Sequence, residues 1–481
     1  MSVSLNGVVR DSKCLEDEGP TRSSSIDKRD LDVAAKVVAG QELTGLTPEE
    51  DVRIRRKIDR NLLPLMMVTN FAHFMDKTTL GNAALLGLQE DLKLTAAEYN
   101  WLGTIFYVSY LLFEYPQNLA LQRYPLGKWL ALNAILWTIL VASQVACKNF
   151  WQLMLCRFLL GACEGCATSA FMISTSMFYT HREQGPRTGY WYLMNGISVA
   201  TSSFLGFGVL HIRTTHFHPW QWFCIFTAMI TMVVSLLLLF LFPDSPATAW
   251  FLTPEERVKA ILRIKVNQTG VENKHLKRHQ VMEALKDPKT WAWFTYFLIG
   301  SIPNITNQQS LIIKSLGHST LSTTLLSSVI GFVQAGAILI GMLLVRAFKN
   351  SRAIVAVIMS IPNISATIIS IVLPWSSRVA LLIAIYLTWF SSVPYVIVLG
   401  WITSTTAGHT SKFQFNTNSQ CLIRYHFVTI ILTPAPQLWQ SQYKPRNIVP
   451  WSLILACYSF CTIFIIGMMF YLKKQNRIRD Q

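Results

Sequence analysis

Charged residues are scarce over most of this 481-residue chain. They make up 14% of it, whereas an average soluble domain has roughly 25%. The charges also concentrate in two stretches, with 23 in residues 1–60 and 15 in residues 243–289. Because 51% of the residues are apolar, the rest of the chain is too poor in charge for the surface of a soluble enzyme, and the composition indicates a membrane protein.

The sequence also lacks the short motifs of ATP-driven and hydrolytic proteins. It contains no G-x-x-x-x-G-K-[ST] phosphate loop, no H-E-x-x-H zinc motif and no G-x-S-x-G nucleophile elbow. The nine cysteines lie mostly in apolar stretches, where a thiol acts as a small apolar residue. We therefore expect no enzymatic activity, no metal and no cofactor.

Apolar stretches long enough to cross a membrane recur along the chain. A hydrocarbon core about 30 Å thick needs about 20 mostly apolar residues in a helix. Twelve stretches qualify, at about residues 62–85, 99–119, 129–147, 151–174, 189–211, 221–242, 291–312, 324–346, 353–374, 379–403, 419–438 and 449–471. We predict an all-α membrane protein with twelve transmembrane helices in two six-helix bundles, residues 62–242 and 291–472, joined by a polar loop, residues 243–290.

The distribution of basic residues predicts the orientation of these helices. The N-terminal tail, residues 1–61, is polar and of mixed charge, which favours disorder, and it ends in a basic segment, residues 53–60. Basic residues are commoner in the loops on the side of this tail, in the 243–290 loop and in the C-terminal tail, residues 473–481, than in the opposite loops. Both termini are therefore expected in the cytoplasm, and the net charge of +16 then requires no nucleic acid as a partner.

Two ionisable residues of the fourth predicted span share one helix face. Such residues cost at least about 2.5 to 3.5 kcal/mol to insert, and they usually face a cavity or a partner. Arg157 and Glu164 are seven positions apart, or about 10.5 Å along a helix axis. A guanidinium suits a carboxylate substrate, and a buried glutamate suits a coupled proton. A structural ion pair is the alternative for the two residues.

The first predicted span carries a second polar pattern. Asn70, His73 and Lys77 occupy positions i, i+3 and i+7, so they form one stripe on an otherwise apolar helix. We predict that this stripe lines a transport cavity, with Lys77 contacting substrate and with His73 and Asp76 taking part in proton coupling. An alternative role for Asp76 is to neutralise the neighbouring Lys77.

Tryptophans and glycines mark the expected ends and contacts of the spans. The six tryptophans near predicted span ends are expected to act as interfacial anchors; they are Trp101, Trp129, Trp151, Trp191, Trp220 and Trp222. Gly161 and Gly165, four residues apart, allow close helix approach, and Gly196 does the same in the fifth span.

Ordered motifs over residues 60–475 give the chain a resemblance to a known family. They include MDKTTLGNAALLGLQEDLKLTAAEYNWLGTIFYVSYLLFEYPQNLALQRYPLGKWL (75–130), CRFLLGACEGC (156–166), FPDSPATAWFLTPEER (242–257) and QYKPRN (442–447). In these motifs the chain resembles the fungal allantoate permease family, which belongs to the anion:cation symporters of the major facilitator superfamily.

The resemblance implies a function and a set of site residues. It implies alternating access between two bundles and proton-coupled uptake of a small organic anion, such as allantoate, ureidosuccinate or a vitamin-like carboxylate. We also expect the protein to be a monomer in the plasma membrane. By position it assigns substrate contacts to Lys77, Asn82 and Arg157, and proton coupling to Glu164. It also identifies the loop after the second helix as a gating loop with Arg123, Gly127 and Lys128.

One segment departs from the family pattern. Residues 411–440 contain Arg424, His426, Pro434 and Pro436 where the family has a helix rich in small residues. We hypothesise a gene-model artefact, which would make this polypeptide an inactive variant. A second alternative is a nutrient sensor with a transporter fold, which the long N-terminal tail favours.

Overall fold

The computed structural model of the protein describes residues 46–212, 214, 216–265, 288–303, 305–348, 351–405 and 434–480. The helices of the first half are α1 (Pro48–Leu85), α2 (Leu88–Asp91), α3 (Ala96–Arg123), α4 (Leu126–Ser143), α5 (Phe150–Glu164), α6 (Ala167–Phe178), α7 (His181–Val209), α8 (Pro219–Leu241) and α9 (Pro254–Lys265). Those of the second half are α10 (Pro288–Ser301), α11 (Gln309–Ser315), α12 (Thr320–Ala347), α13 (Arg352–Val372), α14 (Arg378–Thr388), α15 (Ser392–Thr405), α16 (Pro434–Gln437) and α17 (Ile448–Asp480). Within these ranges there is no β-strand, which confirms the all-α prediction.

The helices coincide with the apolar stretches of the sequence. They cover ten of the twelve predicted spans, and an eleventh, 291–312, is divided between α10, which ends at Ser301, and α11, which begins at Gln309. The exception is the stretch 419–438, of which residues 419–433 lie outside the described residues. Arg424 and His426 are among them. Among the described residues, seven helical stretches are long and apolar enough to cross a membrane.

Helix α1 begins well inside the predicted polar tail. Thr47 caps it, because its hydroxyl accepts from the backbone N–H of Glu50 while the Glu50 carboxylate accepts from the N–H of Thr47. Pro48 occupies the first helical position, where no N–H is needed. Residues 48–61 are therefore helical and continuous with the first span, which corrects the expectation of disorder up to residue 61.

Close backbone contacts bring α5 against α3 and α7 against α12. A Cβ atom at Gly161 would overlap with the carbonyl oxygen of Phe106, so only glycine permits this approach. A Cβ at Gly196 would lie 2.5 Å from the carbonyl oxygen of Gly331. Helix α5 ends at Glu164 and α6 starts at Ala167, which breaks the fourth span beside that carboxylate.

Large side chains divide between the bundle interior and the outer surface. Phe240 and Ile463 are 74% and 69% exposed on outer faces, as lipid contact requires. The tryptophans split in the same way, since Trp151 is 73% exposed whereas Trp191 and Trp220 are each 1% exposed. The last two are core residues, so the expectation that they anchor at the interface was wrong.

Candidate functional site

A cavity of about 220 Å³ lies between the first-half and second-half helices. Its first-half wall consists of Asn70, His73, Phe74, Lys77, Tyr107, Tyr110, Thr168, Trp191, Tyr192 and Asn195. Its second-half wall consists of Gly300, Ser301, Pro303, Ile305, Thr306, Thr388, Trp389, Ser391, Tyr395 and Tyr458. Among these described residues, Lys77 is the one with a permanent charge, so the wall is aromatic and polar around a single cation.

The polar stripe of the first span reaches this cavity. The structure places Asn70, His73 and Lys77 on the cavity wall, as their helical spacing predicts. The Lys77 ammonium lies 5.3 Å from the centroid of the Tyr110 ring, which is cation–π distance. Asn70 is held from α7, since its Nδ2 donates to Asn195 Oδ1 at 2.6 Å.

Behind His73 lies the carboxylate of Glu164. His73 Nε2 is 3.4 Å from Glu164 Oε2, and both side chains are almost fully buried. In the described part of the chain, neither oxygen of Glu164 forms a hydrogen bond. Trp137 of α4 packs against the imidazole, with ring centroids 5.8 Å apart. His73 thus touches the cavity on one side and a buried carboxylate, which is costly to leave unpaired, on the other.

Asp76 points away from the cavity, into the first bundle. It is fully buried, and both of its oxygens accept from the Thr231 hydroxyl of α8, at 3.3 and 3.2 Å. Successive helical residues are about 100° apart, which explains why Asp76 and the adjacent Lys77 face different surroundings.

Arg157 also lies inside the first bundle. It is 3% exposed and is not among the described residues of the cavity wall. Its guanidinium interacts electrostatically with Glu164 and Asp76, and its Nε has no hydrogen-bond partner in the described part of the chain. The structure therefore puts Lys77, rather than Arg157, in contact with the cavity.

Asn82 is likewise separate from the cavity wall. It lies near the end of α1, where it is 8% exposed and its backbone oxygen accepts from the N–H of Leu86. The preceding Gly81 packs against the second half, because a Cβ there would lie 3.0 Å from the carbonyl oxygen of Asn307. Asn82 therefore lies beside a contact between the halves of the molecule, which Gly81 makes.

Other contacts between the two halves are hydrogen bonds of Tyr99 and Asn100, on α3. The Tyr99 hydroxyl donates to the carbonyl oxygen of Asn307 at 2.9 Å, and Gln308 Nε2 donates to Asn100 Oδ1 at 3.1 Å. Asn100 Nδ2 in turn reaches the carbonyl oxygen of Trp439 at 3.4 Å. These bonds join α3 to the residues just before α11 and just after α16, so they must break if the two halves separate at this point.

The predicted gating loop docks on the end of α8. The backbone N–H groups of Gly127 and Lys128 donate to Asp244 Oδ1 at 2.8 and 3.3 Å, and a carboxylate is favoured at such a helix N-terminus. Lys128 Nζ also donates to the carbonyl oxygen of Leu239 at 2.6 Å, whereas Arg123 is exposed. Asp244 is a residue that the spacing analysis missed, although it lies in the FPDSPATAW motif.

A set of ion pairs connects α1, α7 and α9 at the same end as the gating loop. Arg263 is central, since its side chain is 2% exposed and pairs with Asp51 at 2.5 Å and with Glu183. We call this set the inner ion-pair cluster. Its other pairs are Lys259–Glu50, Lys57–Glu256, Arg187–Asp59, Arg55–Glu183 and the longer, exposed Arg53–Glu256. The cluster attaches α9 to the polar beginning of α1.

Comparison with known proteins gives several matches over most of the chain. An uncharacterised transporter of Schizosaccharomyces pombe is 32% identical over 92% of this chain and 77% of its own length. The allantoate permease and the high affinity cysteine transporter of Saccharomyces cerevisiae are both 29% identical, over 94% and 90% of this chain and 84% and 82% of their own lengths. Because equally similar relatives have different names, the matches do not single out the allantoate permease family.

The fold comparison and the family model agree. The proton:xylose symporter XylE aligns with a TM-score of 0.65 over 87% of this chain and 96% of its own, at 12% identity, which shows a shared fold. The matched relatives are transporters, which confirms that the chain is not an enzyme. The model of the Major Facilitator Superfamily matches residues 66–417. This chain is therefore a multi-pass membrane protein and a secondary transporter that belongs to the Major Facilitator Superfamily.

Proposed function

We propose that the chain carries out proton-coupled uptake of a small organic anion by alternating access. One observation carries the proposal: a cavity with Lys77 on its wall adjoins, through His73, the buried carboxylate of Glu164. Since Lys77 and His73 are four residues apart on α1, the cation and the imidazole lie on the same helix face. An anion site and a proton site are thereby adjacent.

The cavity wall supports an anionic substrate. Lys77 is its permanently charged group among the described residues, so one negative charge on the substrate would be balanced. Aromatic rings and hydroxyl groups around it can pack against and hydrogen-bond a small uncharged body. Allantoate and cysteine, named for two relatives, both carry a carboxylate, and allantoate, ureidosuccinate and vitamin-like carboxylates are our first candidates.

The buried charges behind the cavity support proton coupling. Glu164 would bind the proton, and His73 would pass it to and from the cavity, because His73 touches both. Arg157 would balance the charge of Glu164 when the proton leaves, and Asp76 would complete this buried group. Coupling then arises because the protonation state changes the relative free energies of the two orientations of the transporter.

We also propose the arrangement of the chain in its membrane. The basic residues favour cytoplasmic termini, with the inner ion-pair cluster on the cytoplasmic side. The proposed bundles are residues 62–242 and 291–472, and uptake is proposed at the plasma membrane, by a monomer.

The test is uptake into permease-deficient yeast cells that express the chain at the surface. Labelled allantoate, ureidosuccinate, nicotinate, pantothenate and biotin are supplied at an external pH of about 5 and about 7. We expect one compound to accumulate, more at the lower pH, and an uncoupler to abolish its accumulation. Accumulation that is insensitive to both pH and uncoupler would refute proton coupling. Surface expression without uptake or binding of any compound would refute the anion proposal.

A further inference from the structure

Two cysteine thiols meet where α4 connects to α5. Cys147 follows the 3-10 turn Gln144–Ala146, and Cys156 lies in α5. Their Sγ atoms are 3.7 Å apart, and both thiols are free. The connection between the two helices is short, and it brings the two thiols together although they are nine residues apart in sequence.

The surrounding polar groups hold the two thiols in this position. Cys147 Sγ donates to the carbonyl oxygen of Ser143 at 3.6 Å, and the Ser143 hydroxyl lies 3.4 Å from Cys156 Sγ. Cys163 and Cys166 differ, although they form a C-x-x-C motif. There the Cys166 thiol donates to the backbone carbonyl of Cys163. Cys163 and Cys166 are closer in sequence than Cys147 and Cys156, but in the described part of the chain it is the thiols of Cys147 and Cys156 that contact each other. The fold, and not spacing in the sequence, therefore brings these two thiols together.

We propose that Cys147 and Cys156 are a modification site, at which they form a reversible intrachain disulfide. A disulfide has an S–S distance of about 2.05 Å, so the sulfur atoms must approach by about 1.7 Å from their present separation of 3.7 Å. Cys156 is partly exposed near the outer end of the predicted span 151–174, so a small membrane-permeant oxidant can reach it. In the proposed orientation this connection faces the outside of the cell, the side on which disulfides persist.

The oxidant is a low-molecular-weight disulfide. The Cys156 thiolate attacks one of its sulfur atoms, a mixed disulfide forms, and one small thiol leaves. The Cys147 thiolate then attacks Cys156 Sγ and releases the second small thiol. Both cysteines lose a proton and together two electrons, and the oxidant gains both. The product joins the outer end of α4 to α5 one residue before Arg157.

The sequence provides a direct test, because trypsin cleaves after lysine and arginine. Cleavage at Lys128, Lys148 and Arg157 gives peptides 129–148 and 149–157, with one cysteine each. Membranes containing the full chain are treated with 2,2′-dithiodipyridine, a small disulfide that enters membranes, blocked with N-ethylmaleimide, digested and examined by mass spectrometry. We expect the two peptides as one species, lighter by the two thiol hydrogens and separated by a reducing agent.

Matched variants identify the thiols. Cys156→Ser should abolish the joined species, whereas Cys224→Ser, which alters a buried cysteine of α8, should leave it unchanged. The proposal is overturned if oxidised native protein carries maleimide on both cysteines. It is also overturned if Cys156 retains only the thiopyridyl group of the oxidant, or if Cys147 joins a different cysteine. None of these readouts requires transport activity or a known substrate.

Discussion

At the scale of single residues, the imidazole of His73 separates two environments. On one side is the cavity with Lys77, and on the other is Glu164, 3.4 Å away. Asp76 shows how sharply this arrangement depends on helical phase, since one step along α1 turns it to Thr231 inside the bundle. A polar residue in a span can therefore face substrate or protein according to its position in the turn.

Lys77→Gln tests the cation on the cavity wall. An interaction with a charged group contributes about 1.5 to 3 kcal/mol, so we expect uptake at low substrate concentration to fall by about 10-fold to 100-fold. Lys77→Arg keeps the charge and should retain most of the uptake. Initial uptake rates in cells with matched surface expression are the measurement. Equal rates for Lys77→Gln and the native chain would show that substrate is held elsewhere.

Glu164→Gln tests the proton site. The amide cannot exchange a proton, so net accumulation driven by the pH gradient should be lost, while exchange of internal for external substrate should continue. Proteoliposomes loaded with substrate measure both processes in one preparation. Asp76→Asn is the comparison, because it removes a second buried carboxylate that accepts from Thr231. Accumulation that survives in Glu164→Gln but not in Asp76→Asn would transfer the role to Asp76.

At the scale of elements, the single helix α1 carries both ion pairs near its beginning and the polar stripe of the cavity wall. Its first turns carry Asp51 and Lys57, which form ion pairs with α9, and its later turns carry the cavity stripe. Pro64 lies between these two parts of α1, and a proline inside a helix removes one backbone hydrogen bond and favours a kink. A change in the inner ion-pair cluster therefore reaches the stripe through this proline. This connection follows from the early start of α1 at Pro48.

Arg263→Ala tests the inner ion-pair cluster. It leaves Asp51 without its ion-pair partner and Glu183 with only the more exposed Arg55, 3.5 Å away. We expect the free energy of unfolding to fall by about 3 kcal/mol and the melting temperature by a few degrees. Arg53→Ala is the matched control. Arg53 is 79% exposed and its distance to Glu256, 3.9 Å, is long for an ion pair, so no measurable change in melting temperature is expected. The measurement is the melting temperature of each variant and of the native protein, solubilised in detergent. Equal melting temperatures for both variants would show that the cluster contributes nothing to stability.

At the scale of the whole molecule, the sequence predicts most of the helices and three residues of one cavity wall, Asn70, His73 and Lys77. Long apolar stretches define the spans, and the 3.6-residue period places His73 and Lys77 on one face. The period shows which residues share a helix face but not what that face contacts. Arg157 and Glu164 share a face as predicted, but that face lies inside the bundle and not on the cavity wall. The second-half aromatics Trp389, Tyr395 and Tyr458 resemble any other aromatic residues of apolar spans, so their positions require the tertiary fold.

The contact between α7 and α12 supports a prediction about the two halves together. Gly196→Ala would place Cβ 2.5 Å from the carbonyl oxygen of Gly331 and 2.6 Å from the N of Ala335, so the helix backbones must separate. Because these helices join the two halves, we expect less than about a tenth of native uptake. Gly208→Ala, on the same helix but with no atom within 4 Å of its Cβ position, should transport normally. If both variants transport equally well, close approach of α7 and α12 is not required for the cycle, and the halves move about a looser contact.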